Sequence, residues 1–452
     1  MDRGARARPF ACGGRRGAMS EASEPMEPIG VSLLGAGNVG AGVLAALQRG
    51  AERYAARVGR PLELRRVLVR ARARPRAGAP AGALTDRFED VLEDERTQIV
   101  VELMGGEHPA REYIARALAS GRHVVTANKE VMAKCGPELL ELASEHGVRL
   151  LYEASVGGGI PIVRPLGRDL LANEITAVTA IINGTTNYVL TAMTYEGSDY
   201  AEALAEAQRL GYAEPDPTDD VEGIDAAYKL AILCGLAFHV TVSPDDIARQ
   251  GISGLSARDF RYADELGYTI KLLASGRLVD GALDVSVRPT LIAYEEPLGK
   301  VDGVLNAVQV EGDLVGRVLF EGPGAGPKPT ASAVLADVLD VARDVVAGRG
   351  PLEAIRYRKA VVRPPSEQES RYYMRVTVAD RAGVLAKIAG ALGDNDISIA
   401  SVVQFEVDED ARTAELVITT HKARGGRLDA ALATIRELDE VVEIGSVLQM
   451  AG

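Results

Sequence analysis

Ile29-Gly30-Val31-Ser32-Leu33-Leu34-Gly35-Ala36-Gly37-Asn38-Val39-Gly40 decides the fold of this chain. The first six residues read as a short buried strand. They run directly into G-x-G-x-x-G, after which Val43, Leu44 and Leu47 recur at helical spacing. A glycine trio alone says little, but strand, glycine turn and helix in that order is the context in which it signifies dinucleotide binding. Gly35 permits the tight turn, Gly37 lets backbone approach a pyrophosphate, and Gly40 allows close helix-to-strand contact. The helix start, with Asn38 and Val39, supplies amide donors to the phosphates.

Working outward, a second strand is expected over 64–69, and its end is where a dinucleotide fold reads the adenosine ribose. An acid there accepts the 2′-hydroxyl of NAD, whereas arginine suits the 2′-phosphate of NADP. The chain offers Arg70, Arg72 and Arg74 and no carboxylate, which favours NADP and leaves NAD possible; the plainer reading is solvated loop arginines. Strands at 99–102 and 123–126, each followed by a helical segment, continue the alternation of a parallel sheet, giving a Rossmann-type domain over 29–155. Beyond residue 150, strand-like runs near 175–182, 268–275, 283–293, 307–311 and 314–320 are interrupted by helical stretches 187–210 and 223–238. That order suggests an α+β second domain, 156–325, with a mostly antiparallel sheet. A glycine- and proline-rich turn, 322–330, precedes a helix ending near 346. A linker is expected at 350–368, then a ferredoxin-like βαββαβ module over 369–452. The fold class is α/β overall.

The chemistry concentrates in Gly211-Tyr212-Ala213-Glu214-Pro215-Asp216-Pro217-Thr218-Asp219-Asp220-Val221-Glu222-Gly223-Ile224-Asp225-Ala226-Ala227-Tyr228-Lys229. Carboxylates crowd a proline-stiffened loop, and Asp225 and Lys229, four apart, share one helix face. Ile232, Leu233 and Leu236 continue the helix as apolar nearly all round, the signature of burial. A surface ion pair is the bland alternative. Asn128-Lys129 follows a parallel strand, at the carboxyl edge where α/β ligands bind. Asn183-Gly184-Thr185-Thr186-Asn187 reads equally well as a substrate contact or as a turn with Thr185 or Thr186 capping a helix.

Composition bounds the rest. The 452 residues are 47% apolar and 25% charged, with a net charge of −13; such acidity argues against a nucleic-acid surface. Cys12, Cys135 and Cys234 have no metal-ligand spacing and build no disulfide framework, and a reducing cytoplasm fits. No run approaches the roughly 18 apolar residues of a membrane span. Residues 1–28, arginine-rich and then acidic, read as a disordered tail, or as translation begun upstream of Met19, despite a superficial likeness to a transit peptide.

The blocks Gly35 to Gly40, Thr126-Ala127-Asn128-Lys129, Glu153-Ala154-Ser155-Val156-Gly157-Gly158-Gly159-Ile160-Pro161, Asn183 to Tyr188, the acidic stretch and the Gly322 to Thr330 turn together resemble homoserine dehydrogenase with a C-terminal ACT domain. The resemblance covers nearly everything from residue 29 onward. It implies interconversion of L-homoserine and L-aspartate 4-semialdehyde with NAD(P), in threonine and methionine biosynthesis. It implies that Glu214 and Asp225 bind substrate, that Lys229 transfers the proton, that Lys129 lies near the reacting carbon and the cofactor, and that Gly211 and Gly326 approach the cofactor. The helix 326–346 would then complete the nucleotide domain. Glu153, Val156, Gly158 and Ile160 resemble a monovalent cation site, usually sodium, formed largely by backbone carbonyls, with glycine at 158 where alanine is sometimes found. ACT modules generally pair through their sheets, which implies a homodimer or homotetramer. They bind an amino-acid effector, here expected to be L-threonine, at Asp380, Gly383 and Asn395.

Two other readings stand beside this one. A semialdehyde-type oxidoreductase working through a thioester would need an activated cysteine, and neither Cys135 nor Cys234 has an obvious base beside it. A non-catalytic amino-acid sensor on the same fold would be expected to have lost Lys229 or Asp225, and both are present. If the arginines after the second strand read the ribose phosphate, Arg70→Ala and Arg72→Ala will lower the ratio of kcat/KM for NADP over NAD; an unchanged ratio rejects that assignment.

Overall fold

The computed structural model describes residues 27–72, 76–350, 356–408 and 412–452. The tail expected at 1–28, apart from residues 27 and 28, lies outside the described residues, as do Arg74 and the linker segment 351–355. The first layer is a six-stranded parallel sheet in the order Leu84–Thr85, Leu62–Leu68, Ile29–Leu34, Thr97–Glu102, His123–Thr126, Leu150–Leu151. Its strands alternate between two cores, as strands covered on both faces must. Leu33, Ile99, Val101 and Val125 pack against the helices Asn38–Val58 and Pro327–Ala347, whereas Leu34, Val100 and Val124 pack towards Ala110–Ala119 and Lys129–Glu145. The order reverses at Ile29–Leu34, so the carboxyl ends of Leu34 and Glu102, paired in register, mark the switch-point crevice where α/β ligands sit.

The second layer runs antiparallel through Gly316–Pro323, Leu305–Gly312, Ile175–Ile181, Tyr268–Val279 and Ala282–Ala293, with the two-residue strand Ala248–Arg249 added parallel to the last. The helices Gly184–Glu196 and Ile224–Phe238 contribute Val189, Leu190, Leu230 and Leu233 to its core. The single helix expected over 187–210 is two, Gly184–Glu196 and Tyr200–Arg209. Gly197 at φ 67° ends the first, in the left-handed region where glycine meets no steric penalty. Periodicity also missed the short amphipathic helix Ala257–Glu265, fixed by a capping box between Ser256 and Asp259.

The C-terminal βαββαβ module is not on a free tether. Val441–Met450 lies antiparallel to Glu369–Ala379 and parallel to Ala282–Ala293, so the catalytic and C-terminal sheets are continuous. Within the expected linker, Arg358–Lys359 forms a parallel strand with Val240–Thr241. A buried charge cluster closes the junction. Arg375 Nε meets Asp259 Oδ1 at 2.8 Å and its Nη1 meets Glu415 Oε1 at 3.2 Å; Ser446 donates to Asp259 Oδ2 at 2.7 Å, and Tyr262 donates to Glu415 Oε2. The Arg375 and Asp259 side chains are 4% and 0% exposed. Removing one partner of a buried pair leaves the other charge stranded, at about 3–5 kcal/mol. Asp259→Ala should therefore lower the unfolding temperature in calorimetry far more than Arg317→Ala, which breaks a surface pair with Glu296.

Candidate active site

Three segments distant in sequence converge on the Asp225 carboxylate, which is 4% exposed. Lys229 Nζ donates to Asp225 Oδ2 at 2.7 Å, one turn along the same helix, and to the Ile182 carbonyl at 2.9 Å. Lys129 Nζ donates to Asp225 Oδ1. Asn183 Nδ2 donates to Asp225 Oδ2 at 2.9 Å and to Asp220 Oδ1 at 2.6 Å. The two lysines differ in access: the Lys229 side chain is 13% exposed and that of Lys129 43%.

Local sequence explains each placement. Gly223, at φ 75°, turns the acidic loop into the helix, so that Asp225 enters in its first turn. Asn183 is itself the cap of Gly184–Glu196, its Oδ1 receiving Thr186 N at 2.9 Å. The cap thus falls to the Oδ1 of Asn183 and not to Thr185 or Thr186, while its Nδ2 is held by Asp225 and Asp220. Thr185 holds the neighbouring loop instead, donating to Tyr212 O at 2.7 Å. Lys129 is the first residue of its helix, with Asn128 as cap. A cation at the positive end of a helix dipole is locally unfavourable. Asp225 supplies the compensation, and a local rule broken with a distant partner is characteristic of functional sites.

Electrostatics follow from this geometry. Burial alone would raise the Asp225 carboxyl, but Lys229 and Lys129 hold it well below the usual carboxylate range. Burial would lower the Lys129 ammonium, but Asp225, with Asp220 and Asp219 behind it, raises it above the ordinary lysine value. Asp225 therefore contributes fully above about pH 4, losing its contribution only as pH falls through the depressed value. Lys129 contributes fully below about pH 10, losing its contribution as pH rises through the raised value. The cluster is intact across the neutral range.

The dinucleotide turn has room for its ligand. Gly35 sits at φ 103°, a Cβ at Gly40 would lie 2.5 Å from Gly35 O, and the space over Gly37 is open to 4 Å. Asn38–Val58 starts without a side-chain cap and without an acid in its first turn, leaving its amides to an anion. Gly326, at φ 115°, starts Pro327–Ala347, whose Pro327 carbonyl would lie 2.6 Å from a Cβ at Gly42 on the first helix, so the two helix starts adjoin. Arg70 and Arg72 are exposed beyond the second strand, and Gly211 is an exposed turn at φ 78°. These residues fit a bound nicotinamide dinucleotide.

Other expected residues stand apart. Glu214 is exposed, its carbonyl receives Gln208 Nε2 at 3.1 Å, and among the described residues its carboxylate joins no ion pair with the Asp225 cluster. The Glu153 carboxylate is taken up by the amides of Ile162, Val163 and Arg164 at 2.7–2.9 Å. A cation near Val156, Gly158 and Ile160 would meet main-chain oxygens. Gly158 has its own reason to be glycine, since at φ 53° a Cβ would fall 2.2 Å from Gly324 O. Asp380 and Gly383 precede the helix Val384–Asp394 and Asn395 follows it, an axial distance from Gly383 to Asn395 of about 18 Å at about 1.5 Å per residue. One chain does not bring them together. Burial raises both Cys135 and Cys234, the latter to about 12, which removes the thiolate that a thioester mechanism needs. Asp220, which holds Asn183, had only the crowding of acids on its loop to mark it.

Comparison with known proteins identifies the family. A homoserine dehydrogenase family model matches residues 161–339, a homoserine dehydrogenase NAD-binding model 35–153, and an ACT model 372–440. The chain belongs to the homoserine dehydrogenase family. The homoserine dehydrogenase of Mycobacterium tuberculosis is 45% identical over 435 residues, covering 94% of this chain and 98% of that protein. The crystal structure of the Thiobacillus denitrificans homoserine dehydrogenase, 42% identical, superposes with a TM-score of 0.88 over 94% of this chain and 98% of its own. A hyperthermophilic archaeal homoserine dehydrogenase solved with NADPH is 27% identical, with a TM-score of 0.60 over 70% of this chain and 98% of its own. Because Asp225 is what raises Lys129, Asp225→Asn should shift the alkaline limb of kcat/KM for homoserine to lower pH, while lowering kcat/KM about 100-fold or more, as expected for loss of a charge-assisted contact.

Proposed function

We propose that the Asp225 cluster carries the interconversion of L-homoserine and L-aspartate 4-semialdehyde, with NADP favoured over NAD. The chain is an NAD(P)-dependent oxidoreductase acting on a CH–OH group. The bound nicotinamide supplies hydride acceptance and donation; the protein must place the alcohol and manage its proton. Donor counting supports this division. A lysine ammonium has three donors; Lys229 spends two on Asp225 and Ile182, leaving one for the substrate oxygen. Held on both sides, that N–H is preorganised towards the oxygen on which negative charge develops as hydride reaches the aldehyde carbon, where fixed donors matter most, and it gives that oxygen its proton; in homoserine oxidation the hydroxyl proton returns to Lys229 Nζ as hydride leaves the carbon.

Both Asp225 oxygens carry a donor, two on Oδ2 and Lys129 alone on Oδ1. The more exposed Lys129 is the group that yields Asp225 Oδ1 to the substrate ammonium, and the exposed acids Glu214, Asp216 and Asp219 give the approach a negative potential. Released from the carboxylate, Lys129 stays beside the reacting carbon. A monovalent cation, with sodium the natural candidate, is assigned to the carbonyls of Glu153, Val156, Gly158 and Ile160. The ACT module supports amino-acid feedback, with L-threonine the first effector to test, and the separation of Asp380 and Gly383 from Asn395 favours a pocket completed by a second copy in a homodimer or homotetramer. Cytoplasmic location suits free buried thiols at Cys135 and Cys234.

The observation that carries the reading is the convergence of Lys129, Lys229 and Asn183 on one buried carboxylate. Nicotinamide absorbance should show homoserine-dependent reduction of NADP in sodium or potassium buffer, and Lys229→Ala should lower kcat about 10²- to 10⁴-fold, the range of a lost proton-transfer group. Parent protein that binds both ligands without turnover would make it a sensor instead.

A further inference from the structure

Glu102 is a fully buried carboxyl group that the chemistry above leaves unused. It ends the strand Thr97–Glu102 at the carboxyl edge of the parallel sheet, paired in register with Leu34 on one side and Thr126 on the other. Its partners are all neutral. Oε1 accepts the Met104 amide at 2.6 Å, and Thr126 Oγ1 lies 2.6 Å from Oε2. Thr126 Oγ1 in turn accepts the Asn128 amide at 3.0 Å. Asn128 is held twice more, its Nδ2 donating to Gly106 O at 2.7 Å and its Oδ1 receiving Val131 N at 3.1 Å. The next residue is Lys129. A continuous run of short bonds thus joins Glu102 to the turn that launches Lys129, and the loop 104–106 is tied to the same turn from both sides.

Burial pushes the Glu102 carboxyl above its ordinary value. An acid without a cation in an apolar sheet is a destabilising choice for a site needing only filler. The anchor is placed where precision matters, because Lys129 directly follows Asn128 and reaches across to a carboxylate on another domain.

We propose that Glu102 is a positioning residue for the reaction: acting through Thr126 and Asn128, it fixes the turn that presents Lys129 to Asp225 and to the bound alcohol. This rests on the assignment of Lys129 to the reacting cluster. Thr126→Val removes the hydroxyl at nearly constant volume, Thr126→Ser keeps it, and Glu102→Gln is a second, isosteric variant should the valine protein not fold. Thr126→Val and Glu102→Gln should each lower kcat for homoserine oxidation about 10- to 100-fold, the scale of an ångström's misplacement. NADPH affinity should stay within about twofold of the parent, and Thr126→Ser should recover most of the rate. In a Lys129→Ala background Thr126→Val should add less than about twofold, since its effect passes through that lysine. Parental kcat in both Thr126→Val and Glu102→Gln, or full additivity with Lys129→Ala, overturns the proposal. Should Lys129→Ala alone keep the parental rate, the assignment of Lys129 fails first and the positioning role fails with it.

Discussion

One buried carboxylate shared by two ammonium groups is the constraint around which this molecule is arranged. An ionised acid removed from water is unstable unless its charge is answered and both its oxygens are hydrogen-bonded. Asp225 meets both conditions with Lys229 from its own helix, Lys129 from the nucleotide domain and Asn183 from the turn after Ile182. Each contributor is separately held: Lys229 by a carbonyl, Asn183 by its role as a helix cap, Lys129 by the turn capped at Asn128. The pair between Lys129 and Asp225 spans the two main domains, so one buried carboxylate ties the nucleotide domain to the helix Ile224–Phe238.

The same economy of groups appears at the dinucleotide turn and at the C-terminal junction. Two helices, Asn38–Val58 and Pro327–Ala347, start side by side because glycine at 42 lets them touch, and the first leaves its amides uncapped. At the far end of the molecule, Arg375 lies between Asp259 and Glu415 while a parallel strand pair makes one sheet of two. A regulatory module joined in this way shares strands and buried charges with the catalytic domain.

Much of this was legible in the linear chain. Residues 29–40 announced a strand, a phosphate turn and a helix, since each link has its own periodicity and its own glycine requirement. Asp225 and Lys229 could be paired because they share one helix, and Lys129 could be placed at a strand's carboxyl edge. Less legible were features made by distant partners. The stretch 187–210 reads as one helical run until Gly197 divides it, and the linker's strand with Val240–Thr241 has no signal in its own composition.

What the sequence by itself determined is the order of elements, the nucleotide-binding turn and the chemical inventory of the site, all of which depend on spacing along a few residues. Only the tertiary structure decided that Lys129 and Asn183 meet on Asp225, that Glu214 stands outside the cluster, that the Glu153 side chain caps a turn, and that Glu102 anchors another. These are contacts between residues 9–96 positions apart, or the absence of such contacts. Local propensity carries no information about them, because the burial that makes each bond strong exists only after the domains have packed together.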